Sequence, residues 1–256
     1  MRVFVFILSA GVLSTLNACI NNQSPKGKVA DSGIPVEHIE PTADQQRRRV
    51  QSEEYCKSHS IPVYGNPNAL FTDPEADVII RSKDEVVDRA LALCYIALKG
   101  EGLEQNYLDK MDREYNIMAK LTAEEKAFAR NRHPEEQEKV DATWRYESLH
   151  LLLWALSFAD TLSYPDQPCD VVSDAKIMRA LSEQQFREKA KLRSKKEILD
   201  QADLILRLDW ACVDARVNKR TIPGKMHTGV VYERHYSLNW LIHYLDLGWD
   251  DVTTDT

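Results

Sequence analysis

The chain has 256 residues, 43% of them hydrophobic, with 33 basic against 40 acidic side chains and a formal charge of -7. That is enough apolar material for one sizeable core, and 9 Gly and 10 Pro beside 29% charged residues favour helices over a turn-rich sheet protein. The acidic excess argues against nucleic-acid binding, which needs a basic face; it suits a protein partner with a basic surface, or simple solvation.

Met1 to Cys19 reads as an export signal: Arg2 precedes an apolar run from Val3 to Leu8 that continues weakly to Leu16. The segment Leu16-Asn17-Ala18-Cys19 resembles the lipobox of bacterial lipoproteins. That resemblance implies cleavage before Cys19, diacylglycerol on its sulfur, and a lipid anchor holding the protein to the periplasmic side of a bacterial membrane. Asn17 departs from the small or branched residue usual at its place, and an ordinary secretory signal or an uncleaved anchor are the alternatives. Ile20, where an acidic residue would mean retention at the inner membrane, favours the outer membrane in a cell that has two. The expected organisation is a signal peptide over residues 1–18, lipidated Cys19 with a flexible tether over 19–41, and one all-α domain over 42–256. The tether is polar, broken by Gly and Pro, and spans about 25 Å as a flexible coil.

Cys56, Cys94, Cys169 and Cys212 remain beyond the leader. In an oxidising periplasm they could close two bridges, in any of three connectivities. No C-x-x-C spacing occurs, so neither a redox dithiol nor a zinc knuckle is indicated.

A first helix is expected over Ala43 to Ser58, then an extended Pro-rich passage to Asp77. Ser82 to Glu85, Thr122 to Glu125, Ser182 to Gln185 and Ser194 to Glu197 each match the capping box. Four such starts argue for a helical domain. The helix after Ser82 carries two adjoining apolar stripes and is expected to stop at Gly100 and Gly102. Leu103 to Lys120 is amphipathic through Tyr107, Met111, Tyr115 and Met118, read as packing residues. Glu135 and Lys139 form a favourable i,i+4 pair.

Thr143 to Ala159 is almost unbroken hydrophobic from Leu149 onward and belongs in the interior, although it is too short and too polar at its start to cross a bilayer. About eight helices are expected to pack around it. Its opening turns nevertheless carry Arg145, Glu147 and His150. On a helical wheel Arg145 falls among Leu149, Leu152 and Leu156, so it must reach solvent or meet an acid inside. Residues 160–172 read as a loop. Ser194 to Asn218 has a core stripe of Leu199, Ala202, Leu206, Trp210, Val213 and Val217, with Asp200, Asp203, Arg207 and Asp214 in one narrow polar sector. The last helix, about Thr228 to Leu245, places His235 on its apolar stripe, and Glu233 on the opposite side.

Trp144-Arg145-Tyr146-Glu147, Leu199-Asp200 with Asp203 and Arg207, Glu233-Arg234-His235 with Asn239-Trp240, and Trp249-Asp250-Asp251 resemble the bacterial family of domain of unknown function 4272, over roughly Gln46 to Thr256. The resemblance implies that Arg145, Glu147, Asp203, Arg207, Glu233, Arg234 and His235 matter to its members, and it carries no established activity.

Glu147-x-x-His150 has the spacing of a di-iron carboxylate helix, but no second such pair accompanies it, and the sequence indicates no metal and no cofactor. Phosphate loops, dinucleotide fingerprints and nucleophile elbows are absent. The charged set reads best as a structural network in which Arg145 and Arg234 pair with Asp203, Asp214 or Glu233, and His235 as a hydrogen-bonded core histidine. The tryptophans are expected in the core, with Trp249 packing the C-terminal segment onto it, and Asp250, Asp251 and Asp255 in a solvated tail. The favoured function is a non-enzymatic binding module for a protein or small ligand, for example an immunity-like protein masking a basic partner. The alternative is an envelope hydrolase using Glu147 and His150 as acid and base.

Overall fold

A computed structural model describes residues 40–66 and 71–256; the leader, Cys19 and the tether up to residue 39 lie outside the described residues. All four expected capping boxes form. Ser82, Thr122, Ser182 and Ser194 accept from the amides of Glu85, Glu125, Gln185 and Glu197, and those side chains return bonds of 2.9–3.0 Å to the capping residues' own amides. Thr42 and Glu135 receive similar return bonds from Gln45 and Glu138. Each filled cap contributes about 1 kcal/mol.

These starts set ten α-helices among the described residues: α1 (Ala43–Ser58), α2 (Lys83–Gly100), α3 (Gln105–Tyr115), α4 (Ile117–Lys120), α5 (Ala123–Arg130), α6 (Glu136–Ala155), α7 (Val171–Ala180), α8 (Glu183–Lys189), α9 (Lys195–Val217) and α10 (Thr228–Leu241). No strand occurs among these residues, and the compact unit spans Ile39–Thr256. No described helix is long and apolar enough to cross a membrane.

Two helices more than expected arise from two local causes. Asn116 adopts a left-handed conformation (φ 48°, ψ 50°) and splits the 103–120 segment into α3 and α4. The Asp112 carboxylate then accepts from the Met118 amide at 2.7 Å. As a result Leu108 is the buried residue of α3, while Tyr107, expected to pack, is exposed. Helix α7 follows a cap inside the expected loop, where Asp170 accepts from the amides of Val172 and Ser173.

The interior is organised by a pair of helices. α6 contributes Leu149, Leu151, Leu152 and Leu153, each with no exposed surface, and α2 is buried at every position from Arg89 to Ala97. The two pack on each other; α3, α4, α5, α7 and α8 also pack on α2, so α2 is covered on more than the one broad face expected of it. From α6 the contacts continue to α10, from α10 to α9, and from α9 to α1. Gly100 is the last residue of α2 rather than its stop signal. A Cβ there would lie 2.8 Å from both the Ala142 Cβ and the Lys139 carbonyl, so the glycine sets how closely α2 and α6 approach.

Helix ends depart from the sequence pattern where the chain turns. α6 starts seven residues earlier than expected and ends at Ala155, because Ser157 turns left-handed (φ 61°) and releases Phe158 to stack on Phe186 at 4.6 Å. Lys139 pairs with Glu136 rather than Glu135, which caps the helix instead. α10 ends at Leu241; His243 and Leu245 take positive φ, and Leu245, expected on the core stripe, is exposed. Val217 at the end of α9 is exposed as well, where the helix outruns its neighbour. Trp249 does pack the C-terminal segment back: it is buried, meets Tyr236 and Trp240 edge-on, and accepts a hydrogen bond from the Tyr236 hydroxyl at its carbonyl. Trp154 and Trp240 are also buried, whereas Trp144 and Trp210 are only half-buried. Cys56, Cys94, Cys169 and Cys212 are all free thiols.

Candidate functional site

The polar residues of α6 and α10 meet where the two helices cross. Arg145 donates to both oxygens of Glu233, at 2.9 and 3.2 Å, and the Ser148 hydroxyl donates to the same carboxylate at 2.6 Å. Glu233 is buried while the Arg145 side chain keeps a quarter of its surface, lying over the faces of Tyr236 and Trp249 at 5.3 and 5.9 Å. Burial pushes the Glu233 carboxyl above its usual range, with Arg145 and Ser148 opposing that rise. The guanidinium therefore resolves its place on an apolar wheel by meeting an acid.

Arg234, one position on, turns to the other side of α10. It donates to the Ser163 carbonyl at 2.6 Å, and its Nε lies 3.7 Å from Glu147 Oε2, too far for a hydrogen bond. Glu147 uses its other oxygen to accept from the Cys169 amide, which ties the 160–170 segment to α6. Both side chains are buried, and among the described residues Arg234 Nη2 and Glu147 Oε2 have no hydrogen-bond partner. Burial pulls the Arg234 guanidinium below its ordinary value, opposed by the Glu147 charge.

Arg234 lines a cavity of about 110 Å³ between α1, α6, α9 and α10. Its lining runs from buried Leu151, Leu208 and Arg234 to the exposed Ser163, with Tyr55 and Gln201 half-buried between them. An apolar cavity of about 150 Å³ takes up benzene, so a chamber of this size holds a somewhat smaller molecule.

The remaining predicted residues sit in separate pairs. His150 Nδ1 lies 3.0 Å from Asp174, so His150 and Glu147 have different partners and form no acid–base couple with each other. Asp203 accepts from Arg207 at 3.1 Å within α9, and Thr72 donates to the same oxygen at 3.4 Å. Asp214 pairs with Arg220 at the surface. His235 bonds Asp209 at 2.8 Å in the core, as a structural histidine should. Thus Glu233 is the acid that Arg145 finds, whereas Arg234 faces Glu147 rather than Asp203, Asp214 or Glu233. Asp200, earlier on α9, meets Arg47 of α1 at 2.8 Å.

Several participants carried no motif. Ser148, Cys169, Asp174 and Asp209 are such residues, as is Arg48, whose fully buried side chain bonds Asp44, the Thr72 hydroxyl and carbonyl, and the Asp73 carbonyl. One signal was available. Arg48, Ser52 and Cys56 follow each other at four-residue spacing and form the buried stripe of a helix that is otherwise polar.

No curated protein and no solved structure matches the chain. The profile of one family does match, over residues 48–252, and it takes in α2 to α10 with most of α1, and with them every pair described above except those of Arg47 with Asp200 and Arg48 with Asp44. The chain belongs to the family described as domain of unknown function DUF4272.

Proposed function

We propose that this is a lipid-anchored protein of the bacterial envelope whose helical domain is a non-enzymatic binding module for a small carboxylate. The anchor rests on the lipobox-like residues ending at Cys19. The ligand class rests on one observation: Arg234, whose buried guanidinium has an unpartnered Nη2, is among the residues that line a small cavity of mixed polar and apolar walls. A buried donor without an acceptor costs about 1 to 3 kcal/mol, more when charged, and a ligand oxygen at Nη2 recovers that cost. The walls from Leu151, Leu204, Ile205 and Leu208 suit a short aliphatic tail. Glu147 takes up part of the positive charge, so a monoanion fits better than a phosphate dianion.

Calorimetric titration with acetate, propionate, butyrate and the matching amides tests this. Butyrate is expected to bind with a Kd of about 0.1 mM, or about -5.5 kcal/mol, and butyramide at least tenfold more weakly. Arg234→Gln removes the donor; Leu204→Phe fills the chamber without touching the guanidinium, and each is expected to abolish binding. Equal affinity for acids and amides, or unchanged butyrate binding in the folded Leu204→Phe variant, refutes the reading. The immunity-like reading rests on the net charge of -7 alone and has no comparable local support.

A further inference from the structure

We propose that His150, Cys169 and Asp174 form a binding site for a single zinc ion. The three come from different places: the second turn from the end of α6, the residue before the cap of α7, and the first turn of α7. One donor atom from each lies within 4.8 Å of the other two. A tetrahedral zinc site holds its donors about 3.3 to 3.8 Å apart, so contraction by about 1 Å, within the reach of side-chain rotation, closes the triangle.

The shape of the cluster decides between coordination and a catalytic relay. In a nucleophile–histidine–acid relay the acid and the nucleophile bond opposite ring nitrogens and are held apart by the imidazole. Here the Asp174 oxygen and the Cys169 sulfur lie within 4.8 Å of each other as well as of the histidine nitrogen. Three mutually adjacent donors of different kinds converge on a point, which is what a cation needs. The mixture of nitrogen, sulfur and oxygen excludes magnesium and calcium, which take oxygen alone, and matches zinc.

The surroundings supply the support such a site requires. The Cys169 amide is held by Glu147, and Asp170 fixes the first turn of α7 through its bonds to Val172 and Ser173. Asp174 is buried, and among the described residues its carboxylate bonds His150 alone, whereas His150 and Cys169 are half-buried and give an ion a route from solvent. Binding replaces the thiol proton of Cys169 and the hydrogen bond between His150 and Asp174 with three bonds to the metal, and the released protons go to water. Three protein ligands leave a fourth position for water or an exogenous ligand. The site shares Glu147 with the surroundings of Arg234, since that carboxylate faces the guanidinium and holds the Cys169 amide, but each test reads its own ligand: zinc here, a carboxylate there.

The full chain, stripped of metal by dialysis against a chelator, is titrated with zinc against a chromogenic competitor, and with cobalt(II) as a coloured stand-in. One equivalent of zinc is expected to bind. Cobalt is expected to give thiolate charge-transfer absorption in the near ultraviolet and the intense visible bands of a tetrahedral site. Cys169→Ala should remove the charge-transfer band, and His150→Gln and Asp174→Asn should each weaken zinc binding at least about 100-fold. The cobalt spectrum of the unaltered chain needs no variant to fold. Absence of a thiolate band, or zinc affinity unchanged in folded Asp174→Asn, overturns the proposal.

Discussion

Replacing Arg145 by Met keeps much of the side chain's length and apolar packing but removes the charge that Glu233 faces. Glu233 is buried and would be left with Ser148 alone, at 2.6 Å. Breaking a buried pair by deleting one partner costs about 3 to 5 kcal/mol. Arg145 retains a quarter of its surface, so the pair sits partly in solvent and the lower end, about 3 kcal/mol, applies. For a unit the size of Ile39–Thr256, each kcal/mol moves the melting temperature by about 2 to 4 °C, giving a fall of about 6 to 12 °C. The loss must also depend on pH. Burial already holds the Glu233 carboxyl above its usual value, so in the folded state it binds a proton more readily than in the unfolded chain. Stability from such a group is present below the unfolded value and declines as pH rises through the folded one. Without Arg145 the folded value climbs further, so the deficit of the variant should be small near pH 5 and large near pH 8. Differential scanning calorimetry of the wild type, Arg145→Met and Arg145→Met with Glu233→Gln, across that range, reads all three effects. A melting temperature within about 2 °C of wild type at pH 8, or a double variant no more stable than the single one, would refute the reasoning.

Gly100→Ala gains about 1 kcal/mol of helix propensity, yet the added methyl meets a backbone carbonyl that cannot rotate away. A lower melting temperature by several degrees is expected from overpacking of about 1 to 3 kcal/mol; a higher one would show that the helices part freely. Asp44 is held well below the usual carboxylate range, first by the Thr42 hydroxyl, then by the Glu75 amide, with Arg48 adding its charge. Its contribution is therefore present above the unfolded carboxylate value and lost as pH falls through the lower folded one. Urea titrations of Asp44→Asn should show a deficit at pH 7 that narrows under acid, and a deficit that widens there contradicts the assignment. Cys19→Ser should shift the protein out of the membrane fraction and remove the mass increment of the lipid; unchanged fractionation with no such increment in the parent disposes of the anchor.

Local rules transmitted most of the fold. Hydroxyl and acid or amide at three-residue spacing located four helix starts because both halves of a capping box lie within one turn. Helix ends were less legible, since Asn116 and Ser157 turn left-handed without glycine, and what makes that worthwhile is a distant contact such as Phe158 against Phe186. The candidate site divides in the same way. The wheel left Arg145 either to reach solvent or to meet an acid, and Glu233 was among the named choices. Arg234 could not be assigned, because its partner depends on how α10 is rotated against α6, which no local pattern records. Asp174 and Cys169 were invisible for a related reason. Their positions follow from the path of the 160–170 segment, which Glu147 and Arg234 tie down through the Cys169 amide and the Ser163 carbonyl, main-chain groups that carry no sequence signature.

The most direct measurement is the nitrogen-15 NMR signal of the Arg234 guanidinium, assigned by comparison with Arg234→Gln, while butyrate is titrated into the folded protein. Formation of a bond at the free Nη2 should move that resonance with half-saturation near about 0.1 mM free ligand, on the affinity scale set out above, and leave the Arg145 signal in place. A stationary Arg234 signal up to tens of millimolar butyrate, or equal movement of every arginine, would contradict a guanidinium poised for a ligand.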